Sequence, residues 1–315
     1  MGLLKKFRKY MGGRRLEWPL PYREGLTFAD ITMRDPFVVK DGKGGYILTG
    51  TIYHYNFNDS YGTVIYKSDD LKTWRGPFTV LEKSAQKEEF RDFWAPEIHF
   101  AGGKYRLLVT LSPKNGKRGT YMFSCDRPDG VYENGVRLTP PSSSCLDGTL
   151  AEQDGEFWCI YCREYIECSD GEIRAVKLTP DFSGTQKDSD VLLFRASANV
   201  YDRTGSRKKI TDGPFCFREN GILKLLWSTR TAGGKYVQLV ARSENGRIDG
   251  EWIQEGAIYT ADGGHGMIFE DYDGARYLIL HSPDARTAFT KKYERPVCIK
   301  LNGETKPFSQ RRKGN

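Results

Sequence analysis

The stretch Arg34-Asp35-Pro36-Phe37-Val38-Val39-Lys40-Asp41-Gly42-Lys43-Gly44-Gly45-Tyr46-Ile47-Leu48 opens on an aspartate beside proline, runs as a hydrophobic strand, turns on glycine and runs as a strand again. Apolar runs bounded by Gly, Asp and Pro are the mark of paired strands. The unit recurs. Ala95-Pro96-Glu97 leads to Gly102-Gly103-Lys104-Tyr105, and Asp147-Gly148-Thr149 to Asp154-Gly155-Glu156-Phe157. Asp212-Gly213-Pro214 leads to Asn220-Gly221-Ile222, and Gly264-His265-Gly266-Met267 to Asp273-Gly274-Ala275-Arg276-Tyr277. Within each unit a strand after the Gly turn tends to end in Ser or Thr, a further strand follows a variable loop, and helical periodicity is scarcely visible. Five units of about 50 to 65 residues with four strands each predict an all-β fold, a five-bladed β-propeller.

The first strand of a propeller blade lines the central channel. Asp35, Glu97, Asp147, Asp212 and His265 open those strands and are expected to converge at one end of the axis. A lone Asp beside Gly or Pro is usually a turn residue. Three acids recurring in phase repel one another, an arrangement retained for a cation or for proton transfer.

Charge and cysteine content narrow the function class. The net charge of +7 resides in two tails: residues 1–15 hold six Lys or Arg and residues 306–315 hold four, with no acid in either, leaving 38 basic against 41 acidic residues elsewhere. The expected organisation is a basic tail over residues 1–20, one propeller over 21–305 and a basic tail over 306–315, with no nucleic-acid or membrane partner. The sequence shows no apolar run of about 18 residues and no secretory core. Seven cysteines, an odd number in a chain of 315 residues, fit a reduced, cytoplasmic setting. Cys159 and Cys162 have metal-like spacing but no second pair, and in a strand their three-residue offset points the thiols to opposite faces. They read as packing residues. Trp74, in a blade-end turn, is assigned no chemistry.

Taken together, Arg34-Asp35-Pro36-Phe37-Val38, Phe93-Trp94-Ala95-Pro96-Glu97-Ile98-His99, Cys145-Leu146-Asp147-Gly148-Thr149, Thr211-Asp212-Gly213-Pro214-Phe215 and Gly263-Gly264-His265-Gly266-Met267 resemble glycoside hydrolase family 43, in order, over roughly residues 25 to 303. The resemblance implies a five-bladed propeller that cleaves terminal α-L-arabinofuranosyl or β-D-xylosyl linkages of plant-derived oligosaccharides with inversion. It implies Asp35 as general base and Asp147 as the residue that orients the acid and raises its pKa. The family's acid is a glutamate; Asp212 stands there, one methylene shorter, and Glu164 is a second candidate for the role. An inverting pair is separated by about 6.5–9.5 Å to admit water. Trp94 and Phe93, at the head of the second blade, are expected to form an apolar floor for the sugar, a role the resemblance supports for Trp94, and Arg295 is expected to approach a hydroxyl or the acid. His265 is implied to hold one hydrated Ca2+ on the axis, with no organic cofactor. A propeller that binds carbohydrate without cleaving it, and a fructan-type five-bladed glycosidase, are the competing expectations. Oligomeric state is not encoded in any readable motif, and the loops at 54–62, 112–119 and 197–209 are expected to shape the outer pocket.

Overall fold

The computed structural model describes residues 20–52, 62–199, 201, 209–284, 293–303 and 305. The basic tails, except Leu20, and most of the loops at 54–62 and 197–209 lie outside the described residues. The described residues form five antiparallel sheets arranged in a ring. Blade I contains β1 (Arg23–Leu26), β2 (Arg34–Lys40), β3 (Tyr46–Thr51), β4 (Gly62–Ser68) and β5 (Trp74–Glu82). Blade II contains β6 (Phe90–Ala101), β7 (Lys104–Pro113), β8 (Gly119–Cys125) and β9 (Glu133–Arg137), and blade III contains β10 (Cys145–Gln153), β11 (Glu156–Arg163), β12 (Glu172–Lys177) and β13 (Val191–Arg195). Blade IV is β14 (Asp212–Glu219), β15 (Ile222–Arg230), β16 (Tyr236–Ser243) and β17 (Trp252–Tyr259); blade V is β18 (Gly264–Glu270), β19 (Arg276–Ser282) and β20 (Arg295–Lys300).

The five-bladed expectation holds, with two departures from four strands per blade. Blade I gains β1 outside β5, and blade V has three strands among the described residues. Strands follow one another from the inside outward in blades II, III, IV and V. The innermost strands β2, β6, β10, β14 and β18 therefore face the channel.

Alternation along the second strands explains why they read as nearly continuous hydrophobic runs. Successive side chains point to opposite faces, and each face meets a different neighbouring blade. Leu225 and Trp227 enter the core between blades III and IV, whereas Leu226 enters that between IV and V. Ile47 packs toward blade II and Leu48 toward blade V. Cys159 and Cys162 obey the same rule, the first in the II–III core and the second in the III–IV core, both free thiols. Trp74 is a core residue between blades V and I.

Among the described residues, no strand is shared across the closure of the ring. Blade V meets blade I instead through side-chain packing and polar links that include the Met33 N–H donating to the Glu294 carbonyl at 3.1 Å, Arg295 Nε to the Ala29 carbonyl at 2.8 Å, and Arg34 pairing with Glu294 at 3.4 Å.

Candidate active site

Every innermost strand breaks its pairing register near its start. The interruptions lie between Arg34 and Phe37, Trp94 and Glu97, Leu146 and Thr149, Asp212 and Phe215, and Gly264 and Met267. At each, one residue takes a left-handed backbone: Asp35 (φ 51°), Ala95 (45°), Asp147 (56°), Gly213 (52°) and His265 (50°). Positive φ is costly for residues other than glycine and is sustained where surrounding structure enforces it. The bulges turn these residues toward the channel.

The enforcing contacts come from the preceding blade. The Ala95 N–H donates to Thr51 Oγ1 at 2.6 Å, the Asp147 N–H to Thr110 Oγ1 at 2.8 Å, and the His265 N–H to Ser228 Oγ at 2.8 Å. For Asp35 the acceptor is His281 Nδ1 at 3.2 Å; for Gly213 it is the Asp147 carboxylate, Oδ2, at 3.1 Å. Thr51, Thr110, Ser228 and His281 occupy the same register position, opposite the residue before their own blade's bulge. The Ser and Thr endings visible in the sequence are thus the sockets that seat the next blade.

This ring corrects one detail of the expected phasing. Asp35, Asp147 and His265 stand on the bulges, but Asp212 lies one residue before its bulge and Glu97 two after. Blade IV has glycine at the bulge because a Cβ at Gly213 would lie 2.5 Å from Cγ of His265. The carboxylate of that blade is displaced one residue upstream by the space the imidazole needs.

Even so, the three aspartates converge. His265 Nδ1 lies 3.2 Å from Asp35 Oδ1 and 3.6 Å from Asp147 Oδ2, and Asp147 in turn holds the amide next to Asp212. Asp35 also accepts from the Thr51 hydroxyl at 2.6 Å, and Asp212 from the Tyr236 hydroxyl at 3.1 Å. Glu97 is paired with His99 Nε2 at 2.7 Å, and its charge also acts on His265.

The carboxyls differ in protonation. Burial pushes Asp35 up, but His265, Arg34, His281 and the Thr51 hydrogen bond outweigh it and hold Asp35 below the usual carboxylate range. Burial raises Asp147 to about 8; His265 pulls against that, while Asp212 and Asp35 add to it. Asp212 is raised too, by burial, against the pull of His265, Arg230 and Arg34. His265 is lowered by burial but raised more by Asp35, Asp147 and Asp212, so its imidazolium form is favoured. The arrangement provides one ionised carboxylate facing a pair that retains a proton near neutral pH.

Around this centre lies a charged network that the sequence did not disclose. Asp284 pairs with Arg34 at 2.7 Å and with Arg230, and accepts from His281 Nε2 at 3.3 Å. Asp284 is held below the usual range: burial acts upward, but the His281 hydrogen bond and the Arg34 charge prevail. These residues come from blades I, IV and V, and a one-dimensional reading offers no sign that they meet.

Other expected site residues fall in different places. Phe93 is fully buried between blades I and II, edge-on to Phe90 at 6.5 Å, and is a core residue rather than a sugar floor. Pleat alternation turns it away from the face Trp94 uses. Trp94 is half-buried, with the Arg118 guanidinium 4.0 Å from its ring centre. Arg295 is committed to Ala29 and to Thr32 Oγ1 at 2.5 Å, clamping the ring closure; Arg34 and Arg230 are the arginines whose charge acts on Asp212. Glu164 is close enough to feel Asp212, and burial raises it against the charge of Arg118. Its Oε1 is bound by Arg118 at 2.7 Å, and its Oε2 is sealed without a hydrogen-bond partner among the described residues.

For calcium, the donor set at His265 is a poor match. The ion takes six to eight oxygens, whereas here a single imidazole is already set against two carboxylates. Among the described residues no group of three or more His, Cys, Asp or Glu side chains is arranged to hold a metal ion. The positive charge among the acids comes from the imidazolium and the two arginines. Nor is any helix among the described residues long and apolar enough to cross a membrane.

Comparison with known proteins meets this geometry from outside. A xylosidase/arabinosidase 43B of Humicola insolens is 23% identical over 286 residues, and a putative beta-xylosidase of Escherichia coli is 24% identical over 272. The alignments cover 82% and 78% of this chain but 48% and 46% of those proteins, so the chain spans about half the length of the curated relatives it matches. Among solved structures, an endo-arabinase from Bacteroides thetaiotaomicron is similar at 32% identity with a TM-score of 0.79, over 91% of this chain and 100% of that one. A thermostable family-43 glycoside hydrolase shares the fold, with a TM-score of 0.71 at 19% identity. The profile of one family, described as glycosyl hydrolases family 43, matches residues 28–302, a span that contains all five bulges and every acid of the ring. With most of its length matched and the propeller in place, the chain belongs to glycosyl hydrolases family 43.

Proposed function

We propose that this chain is an inverting glycoside hydrolase acting on terminal pentosyl linkages, α-L-arabinofuranosyl or β-D-xylosyl, in plant-derived oligosaccharides. The observation that carries the reading is the split among three converged aspartates: Asp35 held ionised, Asp147 and Asp212 held toward the protonated form. Inversion requires one carboxylate to take a proton from water and one carboxylic acid to give a proton to the leaving oxygen. In this reading Asp35 accepts the proton of a water whose oxygen forms the new bond to the anomeric carbon. As the glycosidic C–O bond breaks, its electron pair goes to the leaving oxygen, which takes the proton of Asp212.

Asp147 acts on Asp212 rather than on substrate. It accepts the Gly213 N–H, fixing the backbone that carries Asp212, and its proximity keeps a shared proton in the pair. Asp212 is favoured over Glu164 as the acid on access. Asp212 remains half-buried, whereas one Glu164 oxygen is bound by Arg118 and the other is closed off. The Tyr236 hydroxyl orients Asp212.

Choice of sugar draws on the relatives. The endo-arabinase and the xylosidase/arabinosidase support a pentosyl substrate, and the higher identity to the endo-arabinase favours arabinofuranosyl units. The test is hydrolysis of α-1,5-linked arabino-oligosaccharides and of xylo-oligosaccharides, followed by proton NMR of the first anomer released. Release of the inverted anomer, abolished in Asp35→Ala, is expected. A retained anomer contradicts inversion, and saturable sugar binding without turnover leaves the silent carbohydrate-binding propeller.

A further inference from the structure

The ring of bulges makes blade V chemically different from blades I, II and IV at the position that seats the next bulge. In blades I, II and IV the socket for the next bulge is a hydroxyl, from Thr51, Thr110 or Ser228. A hydroxyl can rotate to donate or accept, so it seats an amide at any pH. In blade V the socket is an imidazole, and it accepts only through an unprotonated nitrogen. His281 is wholly buried, its Nδ1 3.2 Å from the Asp35 amide nitrogen and 3.4 Å from Asp35 Oδ1, and its Nε2 is 3.3 Å from Asp284 Oδ1.

From this geometry we propose that His281 is the positioning residue for Asp35, held by Asp284 as the neutral Nε2–H tautomer so that Nδ1 receives the Asp35 amide and fixes the strained backbone that aims the carboxylate. The proposal rests on the assignment of Asp35 as base in the preceding subsection. The tautomer follows from the two contacts. The Asp35 N–H is a donor, so Nδ1 must accept; Asp284 is an acceptor, so Nε2 must carry the proton. Asp284 is locked in turn by Arg34 and Arg230.

The groups facing the ring agree with this form. Arg34, Asp35 and Asp284 are the charged groups that act on it, and Tyr236 stacks on it with centroids 5.5 Å apart. Burial and the Arg34 charge hold His281 below its ordinary value, against the pull of Asp284 and Asp35. His265, a few ångströms away across Asp35, is shifted the opposite way. Two histidines flank one carboxylate in opposite protonation states: His265 as the counter-charge, His281 as a fixed acceptor.

Two substitutions separate acceptor from bulk. Asn places its carbonyl where Nδ1 lies, and Gln places its amide where Nε2 lies. His281→Asn is therefore expected to keep kcat within about fivefold of wild type, whereas His281→Gln lowers kcat about 100-fold with little change in KM, as for a catalytic group displaced by about 1 Å. Equal kcat in the two variants, whether both high or both low, overturns the proposal. Because either variant of a buried residue can fail to fold, a second readout uses the wild-type protein. Long-range nitrogen–proton NMR of the histidine rings is expected to show one ring that stays neutral and Nε2-protonated through neutral pH. Absence of any such ring contradicts the proposal irrespective of activity. If Asp35→Ala remains fully active, the base assignment fails instead, and the NMR result still reports on His281.

Discussion

Two kinds of junction close this ring, and the contrast between them separates scaffold from chemistry. At blades I to II, II to III and IV to V, the bulge amide of one blade rests on a hydroxyl of the blade before it. At III to IV and V to I the acceptor is a titratable group, Asp147 or His281. At the III to IV junction the matching register position is Cys162, a weak acceptor. The fold needs five seats for five bulges. Where three are filled by groups indifferent to pH, the other two are filled by groups whose protonation is tied to the acids, so backbone geometry and proton placement become one network.

The contrast is broken most sharply at Asp35. Replacing it with Asn leaves the bulge and its amide contact intact but removes the proposed base, and kcat on an arabino-oligosaccharide is expected to fall about 10³-fold. Next in size is the proposed acid. Asp212→Ala is expected to cost about 100-fold on a natural linkage and far less on a nitrophenyl pentoside, whose leaving group needs no proton. Glu164→Gln, by comparison, is expected to leave both substrates within about tenfold of wild type. A large loss confined to Glu164→Gln would transfer the acid role to that residue.

Asp147 joins activity to stability. Its carboxyl, raised to about 8 in the folded chain, binds a proton that the unfolded chain releases near the ordinary aspartate value of about 3.9. The folded state therefore binds more protons than the unfolded one between those values, and this contribution to stability is full below about pH 4 and lost as pH rises through about 8. Asp147→Asn is expected to reduce that pH dependence and to raise the thermal midpoint at pH 7 by about 2 °C, while lowering kcat. Thermal melts across the pH range read the outcome; an unchanged slope would show that Asp147 is ionised in the fold. The smallest expected effect on turnover belongs to the scaffold junction. Ser228→Ala leaves the His265 amide without its seat, at a cost of about 1–3 kcal/mol by chemical denaturation, and kcat/KM should change less than in His281→Gln.

The blades were legible because their signals are local. Leu225-Leu226-Trp227 and Ile47-Leu48 carry the two-faced burial of a middle strand within two or three residues, and Gly44-Gly45 or Asn220-Gly221 carry the turns. Asp35, Asp147 and His265 were legible because each stands beside Pro or Gly at the start of an innermost strand. What failed depended on partners distant in the chain. Phe93 and Trp94 are adjacent aromatics, and only the pleat decides which faces the core. Arg295 has the chemistry to bind a sugar, but the ring closure brings Ala29 and Thr32 to it first. His281 and Asp284, in His281-Ser282-Pro283-Asp284, had one available signal: a histidine stands near the end of a second strand, at the position that holds Thr or Ser in blades I, II and IV. That signal has meaning only once the register is known.

With Asp35 ionised and the Asp147 and Asp212 pair retaining a proton, the pH dependence of kcat/KM on an arabino-oligosaccharide follows from those two states. The expected profile stays high down to the ordinary aspartate range, because Asp35 is held below it, and falls as pH passes about 8, where Asp147 loses its proton. A profile whose acid limb falls near pH 6, or whose activity persists undiminished well above pH 8, would contradict those protonation states.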